Sequence, residues 1–416
     1  MKMHRSLIIV GFLLTGPAAQ AQLLPSPGGA LGSIDNAVPQ LLDNADRALD
    51  RGGLDRLSPA RLAERLVAER TARIADLLRR HRDSVELDDR QEVARRGVVL
   101  LMGASPTSIE ALRRAGYSVA SDTVEGIGLP LARLTIPAGR SLASALKQVR
   151  SIAPEAEASA DNLYFPGGAA PKLKGAALAG GSNVTSPAAG IIDGGVARHA
   201  SLPGAIEQRG FARGAPRASA HGTAVASLIS GSGAIRGAAP GTPLLVADVY
   251  GDDPAGGSAF AIVRALGWMA ARGVKVVTVS LVGPSNPLLA GAIRLARDKG
   301  VRIVAAVGND GPAAPPAYPA SYPDVVAVTG VDGRGRLLPE AGRARHVDFA
   351  APGADMYAAR TDGGKGRVRG TSFAAPLVAG RLVAKGSLNG LIAEAKAGPS
   401  KAFGHGIICG ECRNNN

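Results

Sequence analysis

The stretch GTSFAAPLVAG, Gly370 to Gly380, sets Ser372 among small residues at the mouth of an apolar run with helical spacing. A serine hydroxyl at its free pKa is a weak nucleophile, so Ser372 counts as a reacting group only beside a base and a carboxylate that orients that base. Both residue types stand upstream, each in a small-residue setting. His221 opens HGTAVASLISG, and Asp193 closes the apolar GII of GIIDGGV, where the C-terminal end of a buried strand is expected. Taken singly, a serine before an apolar helix reads as an N-cap and an aspartate beside glycine as a turn. Together, in the order Asp, His, Ser, they point to nucleophilic catalysis. His4, His81, His199, His346 and His405 lie in targeting, Arg-rich, loop or tail contexts and are read as solvated or structural.

That order differs from the Ser, Asp/Glu, His of α/β-hydrolases and the His, Asp, Ser of chymotrypsin-like enzymes, and no GxSxG elbow occurs. The three segments resemble the motifs of the subtilisin-like serine peptidases, the subtilases, and the resemblance runs from about Gly190 to the C-terminal tail. It implies a subtilisin-like α/β fold and a serine endopeptidase with Asp193, His221 and Ser372 as its triad. In RIVAAVGND it puts the side-chain oxyanion donor on Asn309. It also implies a substrate groove formed by Gly256, Gly257 and Ser258 on one side and Ser280, Leu281, Val282 and Gly283 on the other, between which an extended peptide adds as a strand. Most relatives have glycine where Val282 stands, so this side chain is expected to narrow the groove. Ala305, Ala306, Val307 and Ala317 would wall the primary specificity pocket, with Asp310 near its mouth to tolerate a basic side chain. Phe373 replaces a common methionine. GSGAIR, after the His221 helix, lacks the side-chain oxygens that calcium favours, so no calcium is expected there.

The 416 residues exceed one ordinary domain. Lys2, His4 and Arg5 precede an apolar run from Leu7 to Leu14 and then Ala19-Gln20-Ala21, which predicts a signal peptide cleaved after Ala21 and a secreted or periplasmic protein. The run is shorter than the roughly 20 residues of a spanning helix, and stable membrane insertion is not expected. A net charge of +14 fits nucleic-acid binders, but the arginines are spread out, aromatic residues make up only 3% and no nucleic-acid module is present. A solvated basic face on a secreted protein is expected instead, and it is the subtilase resemblance that implies peptide or protein substrates as partners. Cys409 and Cys412 stand in ICGEC. Export favours a tight local disulfide; a zinc site would need two further ligands, of which His405 supplies at most one. No metal and no cofactor is expected, and Gly231, Gly233 and Gly237 lack the spacing and preceding strand of a dinucleotide loop.

Along the chain, residues 22–96 read as a charged, largely helical N-terminal region around LAERLVAERTARIADLLRR, either a preamble to the adjoining domain or a partner-binding helix. From Gly97 to Phe165 the pattern predicts βαββαβ. That ferredoxin-like order resembles the propeptides of subtilases, which assist folding and then occupy the cleft as intramolecular inhibitors; a small α+β domain with no inhibitory role shares the pattern. Residues 166–189, rich in Gly, Ala and Pro, are read as a linker and processing region. From residue 190 to 416, strands and helices alternate, which implies a parallel sheet with right-handed crossovers and helices on both faces. Two other functions fit the same motifs: a silent subtilase fold that binds peptide, and an esterase or transferase that uses the same triad.

Overall fold

The structure, a computed structural model, describes residues 58–167, 176–180, 183–186 and 189–414. The signal-peptide reading over 1–21, the N-terminal region up to residue 57 and parts of the 166–189 linker lie outside the described residues.

Ser58 caps helix α1, Pro59–Arg80, which buries Leu62, Leu66 and Leu77 along one side. The helix stops at Arg80, well before the expected end of the helical region at 96. The reason lies in VELDDRQEVARR, which has no helical apolar period and carries an aspartate that captures backbone donors. Asp88 Oδ1 accepts from the Arg90 and Glu92 N–H groups at 2.8 and 2.9 Å, and Gln91 turns the chain at φ 62°. Strand β1, Val85–Leu87, thereby folds back on β2, Val93–Met102, so the antiparallel sheet starts before Gly97.

Helix α2 (Pro106–Arg114), β3 (Ser118–Val124), β4 (Leu129–Thr135), α3 (Leu142–Ile152) and β5 (Glu157–Asn162) complete the expected βαββαβ order. Both helices begin at a serine cap, Ser105 and Ser141. The antiparallel pairing runs β5-β2-β4-β3, with β1 on the start of β2. Val99, Leu101, Leu112, Leu134, Leu146 and Val149 form its core. A two-residue strand β6, Phe165–Pro166, follows.

Beyond the linker come β7 (Ala189–Asp193), β8 (Ile206–Gly210), α4 (Ala220–Ser230), β9 (Leu244–Asp248), α5 (Ala259–Ala271), β10 (Val276–Val279), β11 (Leu281–Val282), α6 (Pro287–Asp298), β12 (Arg302–Ala306), β13 (Val325–Val331) and β14 (Phe349–Pro352). A hairpin of β15 (Met356–Ala359) and β16 (Lys365–Val368) leads to α7 (Thr371–Lys385) and α8 (Leu388–Glu394). Seven strands form an all-parallel sheet in the order β14-β13-β12-β10-β7-β9-β8. Apart from the edge strand β8, whose Glu207, Gln208 and Arg209 are polar, its strands are apolar almost throughout because helices cover both faces. Alternation along β12 shows the division: Ile303 and Ala305 pack with α5 and α6, whereas Val304 and Ala306 pack with α7.

The N-terminal sheet docks on α5 and α6. Gly267 of α5 permits close approach, since a Cβ there would stand 2.4 Å from the Glu125 carbonyl oxygen. Polar pairing fixes the rest of this contact. Asp161 Oδ1 accepts from the Phe260 N–H at the start of α5 at 2.9 Å, and the buried cap of α6, Asn286, donates to the Ala160 carbonyl at 2.9 Å. Near the C-terminus Cys409 and Cys412 form the expected disulfide.

Candidate active site

Asp193 is the last residue of β7, at the carboxyl end of the central sheet, where crossing connections leave a crevice. Its Oδ1 accepts from the Gly194 N–H at 2.7 Å, and its Oδ2 lies 2.8 Å from His221 Nδ1. A carboxylate only accepts, so the imidazole carries a proton on Nδ1, and its neutral form presents Nε2 as a lone pair. Helix α4 brings His221 there. The Ser219 hydroxyl caps it by accepting from the Gly222 N–H at 2.9 Å, and Gly222 lets the helix approach β7, since a Cβ would meet the Gly194 carbonyl oxygen at 2.2 Å. His221 Nε2 is buried and has no hydrogen-bond partner among the described residues. Nearby, burial pushes the Asp248 carboxyl up, against the pull of the Gly251, Arg217 and Tyr250 N–H donors.

Ser372 is buried in the first turn of α7 and donates to the Ser280 carbonyl at 3.1 Å. Ser280 returns a bond, its hydroxyl donating to the Ser372 carbonyl at 2.9 Å. Pro376 explains why that carbonyl is free: four residues on, it has no N–H to offer. Sequence reading placed Ser280 in the groove but not in this exchange, although a proline at the fourth position after a helical serine is a readable signal. No hydrogen bond joins Ser372 to His221, which packs instead on the Phe373 ring at 5.3 Å between centroids. Asn309 follows β12; its Oδ1 accepts from the Thr371 N–H at 3.0 Å, which turns its amide nitrogen toward the cleft, buried and without a partner among the described residues.

The expected groove residues flank a segment of the chain itself. Leu163 bridges Ser258, and the Tyr164 N–H donates to the Gly257 carbonyl at 2.8 Å. On the other side β6 pairs antiparallel with β11, Phe165 with Val282 and Pro166 with Leu281, and the Gly167 N–H donates to the Ser280 carbonyl at 3.2 Å. Tyr164 is fully buried; its hydroxyl donates to the Pro284 carbonyl at 2.7 Å and its ring lies against Gly283. Gly256 shapes the turn before Gly257 by donating to the Asp253 carbonyl. The segment ends beside the reacting groups: a Cβ built on Gly167 would lie 3.0 Å from Ser372 Oγ and 3.8 Å from Asn309 Nδ2.

Beside Gly167 opens a cavity of about 720 Å³ whose lining includes Val307, Asp310 and Ala317 of the expected pocket residues, together with Gly308, Asn309 and Val282. Ala305 and Ala306 do not line it. Both are fully buried at the end of β12, where the strand's two faces hand them to the sheet core on either side. The cavity's outer wall is α1. Arg73 pairs with Asp310 at 2.7 Å, Arg70 reaches the same carboxylate at 3.4 Å, and Leu66 packs on Gly311. Asp310 thus meets basic side chains, but they come from the protein's own N-terminal helix. Nothing in the spacing of α1 announced this, because an ion pair 237 residues apart leaves no local pattern.

Among the described residues no group of three or more His, Cys, Asp or Glu side chains could hold a metal ion, and no helix is long and apolar enough to cross a membrane. Residues 187–387 match the Subtilase family, Peptidase_S8. The chain is 32% identical over 200 residues to subtilisin BL of Lederbergia lenta, a match that covers 46% of this chain and 72% of that one. It is 34% identical over 170 residues to the major intracellular serine protease of Bacillus subtilis (strain 168), covering 39% of this chain and only 53% of the relative's length. In fold it is similar to the epidermin leader peptide processing serine protease EpiP from Staphylococcus aureus, with a TM-score of 0.56 and 16% identity over 74% of this chain and 96% of that one. The chain belongs to the subtilase family.

Proposed function

We propose that this subtilase is a serine endopeptidase made as a precursor that cuts its own chain and stays covered by its N-terminal segment. The observation that carries this reading is Gly167, held by backbone hydrogen bonds beside Ser372 Oγ and Asn309 Nδ2. Rotation about the Ser372 Cα–Cβ bond exchanges the Ser280 carbonyl for His221 Nε2. The imidazole then takes the hydroxyl proton as Oγ bonds to the Gly167 carbonyl carbon, while Asp193 steadies the imidazolium through Nδ1. The Asn309 amide, with the Ser372 N–H, which has no intrahelical acceptor in the first turn of α7, stabilises the oxyanion. His221 returns the proton to the Gly168 nitrogen as the Gly167–Gly168 bond breaks, and water hydrolyses the acyl-enzyme. Strand pairing along β11 favours a peptide substrate over a simple ester.

Export through a signal peptide cleaved after Ala21 belongs to the same proposal, supported by the charge and apolar pattern of residues 2–21 and by the disulfide.

Intact mass after expression tests the reading. Wild type is expected to yield a fragment ending at Gly167, and Ser372→Ala to remain joined at that bond. A folded wild type that stays full length, with a Ser372 that resists a fluorophosphonate, would overturn it in favour of a silent peptide-binding fold.

A further inference from the structure

The self-cleavage residue and the groove residue opposite it fit each other, and the fit narrows the substrate class. Val282 is half-buried on β11 and leans across to the opposite wall of the cleft: its Cγ1 and Cγ2 lie 3.2 and 3.6 Å from where a Cβ on Gly308 would stand. Gly308, in turn, lies directly behind Gly167, 3.5 Å from the latter's built Cβ to its Cα. A side chain on residue 167 would therefore leave the backbone between Ser372 Oγ, Gly308 and Asn309, into a cavity that Gly167 and Val282 both line and that Val282 narrows where it faces Gly308. A methyl group there stands 3.0 Å from Ser372 Oγ while that hydroxyl is bonded to the Ser280 carbonyl. Glycine needs no such room.

We propose that Val282, set against Gly308, narrows the mouth of the specificity cavity and makes this enzyme a peptidase that cuts after glycine, within sequences of the form Tyr-x-Pro-Gly, where tyrosine fills the pocket that Tyr164 occupies. This rests on the peptidase reading of the same site. The large cavity beside it, with Asp310 on its wall, is covered from outside by α1. Overpacking a filled site is costly, and a pocket that lacks room for extra methylenes discriminates by 10- to 200-fold per group.

The test uses the processed full-chain protein and octapeptides that contain Tyr-Phe-Pro-Gly-Gly-Ala, with the first glycine replaced in turn by Ala, Leu, Phe and Arg, against wild type and Val282→Gly. Wild type is expected to cut the glycine peptide at least about 100-fold faster than the Leu, Phe and Arg peptides, with Ala between, and Val282→Gly to bring Leu and Phe within about tenfold of glycine. Self-processing of the precursor carrying Gly167→Leu, expected to be lost and then restored by adding Val282→Gly, gives a second reading in cis. Cleavage after Leu, Phe or Arg by wild type at a rate comparable to glycine would overturn the specificity while leaving the peptidase reading intact. Failure to cut any peptide, together with a Ser372 that a fluorophosphonate does not label, would instead overturn the peptidase reading and the specificity with it. Val282→Gly that labels normally but keeps the glycine restriction removes Val282 as its cause and overturns the proposal.

Discussion

Two parts of the N-terminal region reach the same cleft by different physics. Residues 163–167 enter as a strand, through backbone bonds to Gly257 and Ser280, pairing with β11 and a buried tyrosine. Helix α1 arrives from outside, through partly exposed arginines on Asp310 and one leucine on Gly311. The first contact is desolvated and geometrically fixed, and it places Gly167 beside Ser372. The second is wet at its edges and adds cover without touching a reacting atom. Holding and reacting are thus separable.

The largest effect that sharpens this division comes from Asn309→Ala. In subtilisin itself, loss of the side-chain oxyanion donor lowers the rate about 100- to 1000-fold. The same loss is expected here in the rate of cleavage at Gly167–Gly168, with the strand contacts of residues 163–167 unchanged, as time-resolved intact mass and proteolytic protection of the precursor can show. Tyr164→Ala acts on the opposite side of the division. Truncating a fully buried aromatic costs about 3–5 kcal/mol, so the cleaved segment should leave the groove at least about 100-fold more readily, measured as activity recovered on dilution of the processed complex. Tyr164→Phe keeps the buried ring and loses the hydroxyl's bond to the Pro284 carbonyl and its contact with Tyr322; at about 0.5–1.5 kcal/mol for the Pro284 bond, it should weaken retention far less than Tyr164→Ala, by about tenfold.

The same contrast explains what could be read in the sequence. The strand end at Asp193 and the helix starts at His221 and Ser372 were legible because small neighbours and apolar runs leave local signatures, and the βαββαβ order followed from apolar periodicity. Cys409 and Cys412 were legible because only two residues separate them. The end of α1 was misjudged because charged residues of 81–96 carry no apolar period, and the Asp88 turn that stops the helix works through one side chain. Ala306 was misplaced because adjacent positions on a strand face opposite sides, and resemblance to a family does not fix which side a pocket uses. The reach of Arg70 and Arg73 to Asp310 depends wholly on tertiary approach.

Protonation offers a way to separate the docked sheet from the groove. Asp161 is buried at the start of α5, and burial raises its pKa in spite of the Phe260 N–H, Arg95 and Ser258 around it. Once the N-terminal segment leaves, the carboxyl returns to water and to its ordinary value. Docking is then favoured most fully below that ordinary value, where the carboxyl is protonated in both states, and weakens as pH rises through the higher docked pKa. Release of the cleaved segment should therefore accelerate with rising pH across this acidic range, and Asp161→Asn, which keeps an acceptor for Phe260 but cannot ionise, should flatten the profile. An unaltered profile in the variant would assign the dependence to another group.

The smallest effect concerns α1, and it decides whether the helix is more than a cover. The Arg70 and Arg73 side chains are about a third exposed, at 32% and 27%, and their common partner Asp310 is 28% exposed. Pairs of that exposure contribute about 0.2–1 kcal/mol, so Arg73→Ala should change release of the cleaved segment by less than about fivefold. That small change should vanish as ionic strength rises, because salt screens a wet pair and leaves the buried strand contacts largely untouched. A loss as large as that of Tyr164→Ala, persisting at high salt, would mean that α1 and the strand hold the cleft as one cooperative unit. A small, salt-sensitive loss leaves the strand as the inhibitor and the helix as its outer lid.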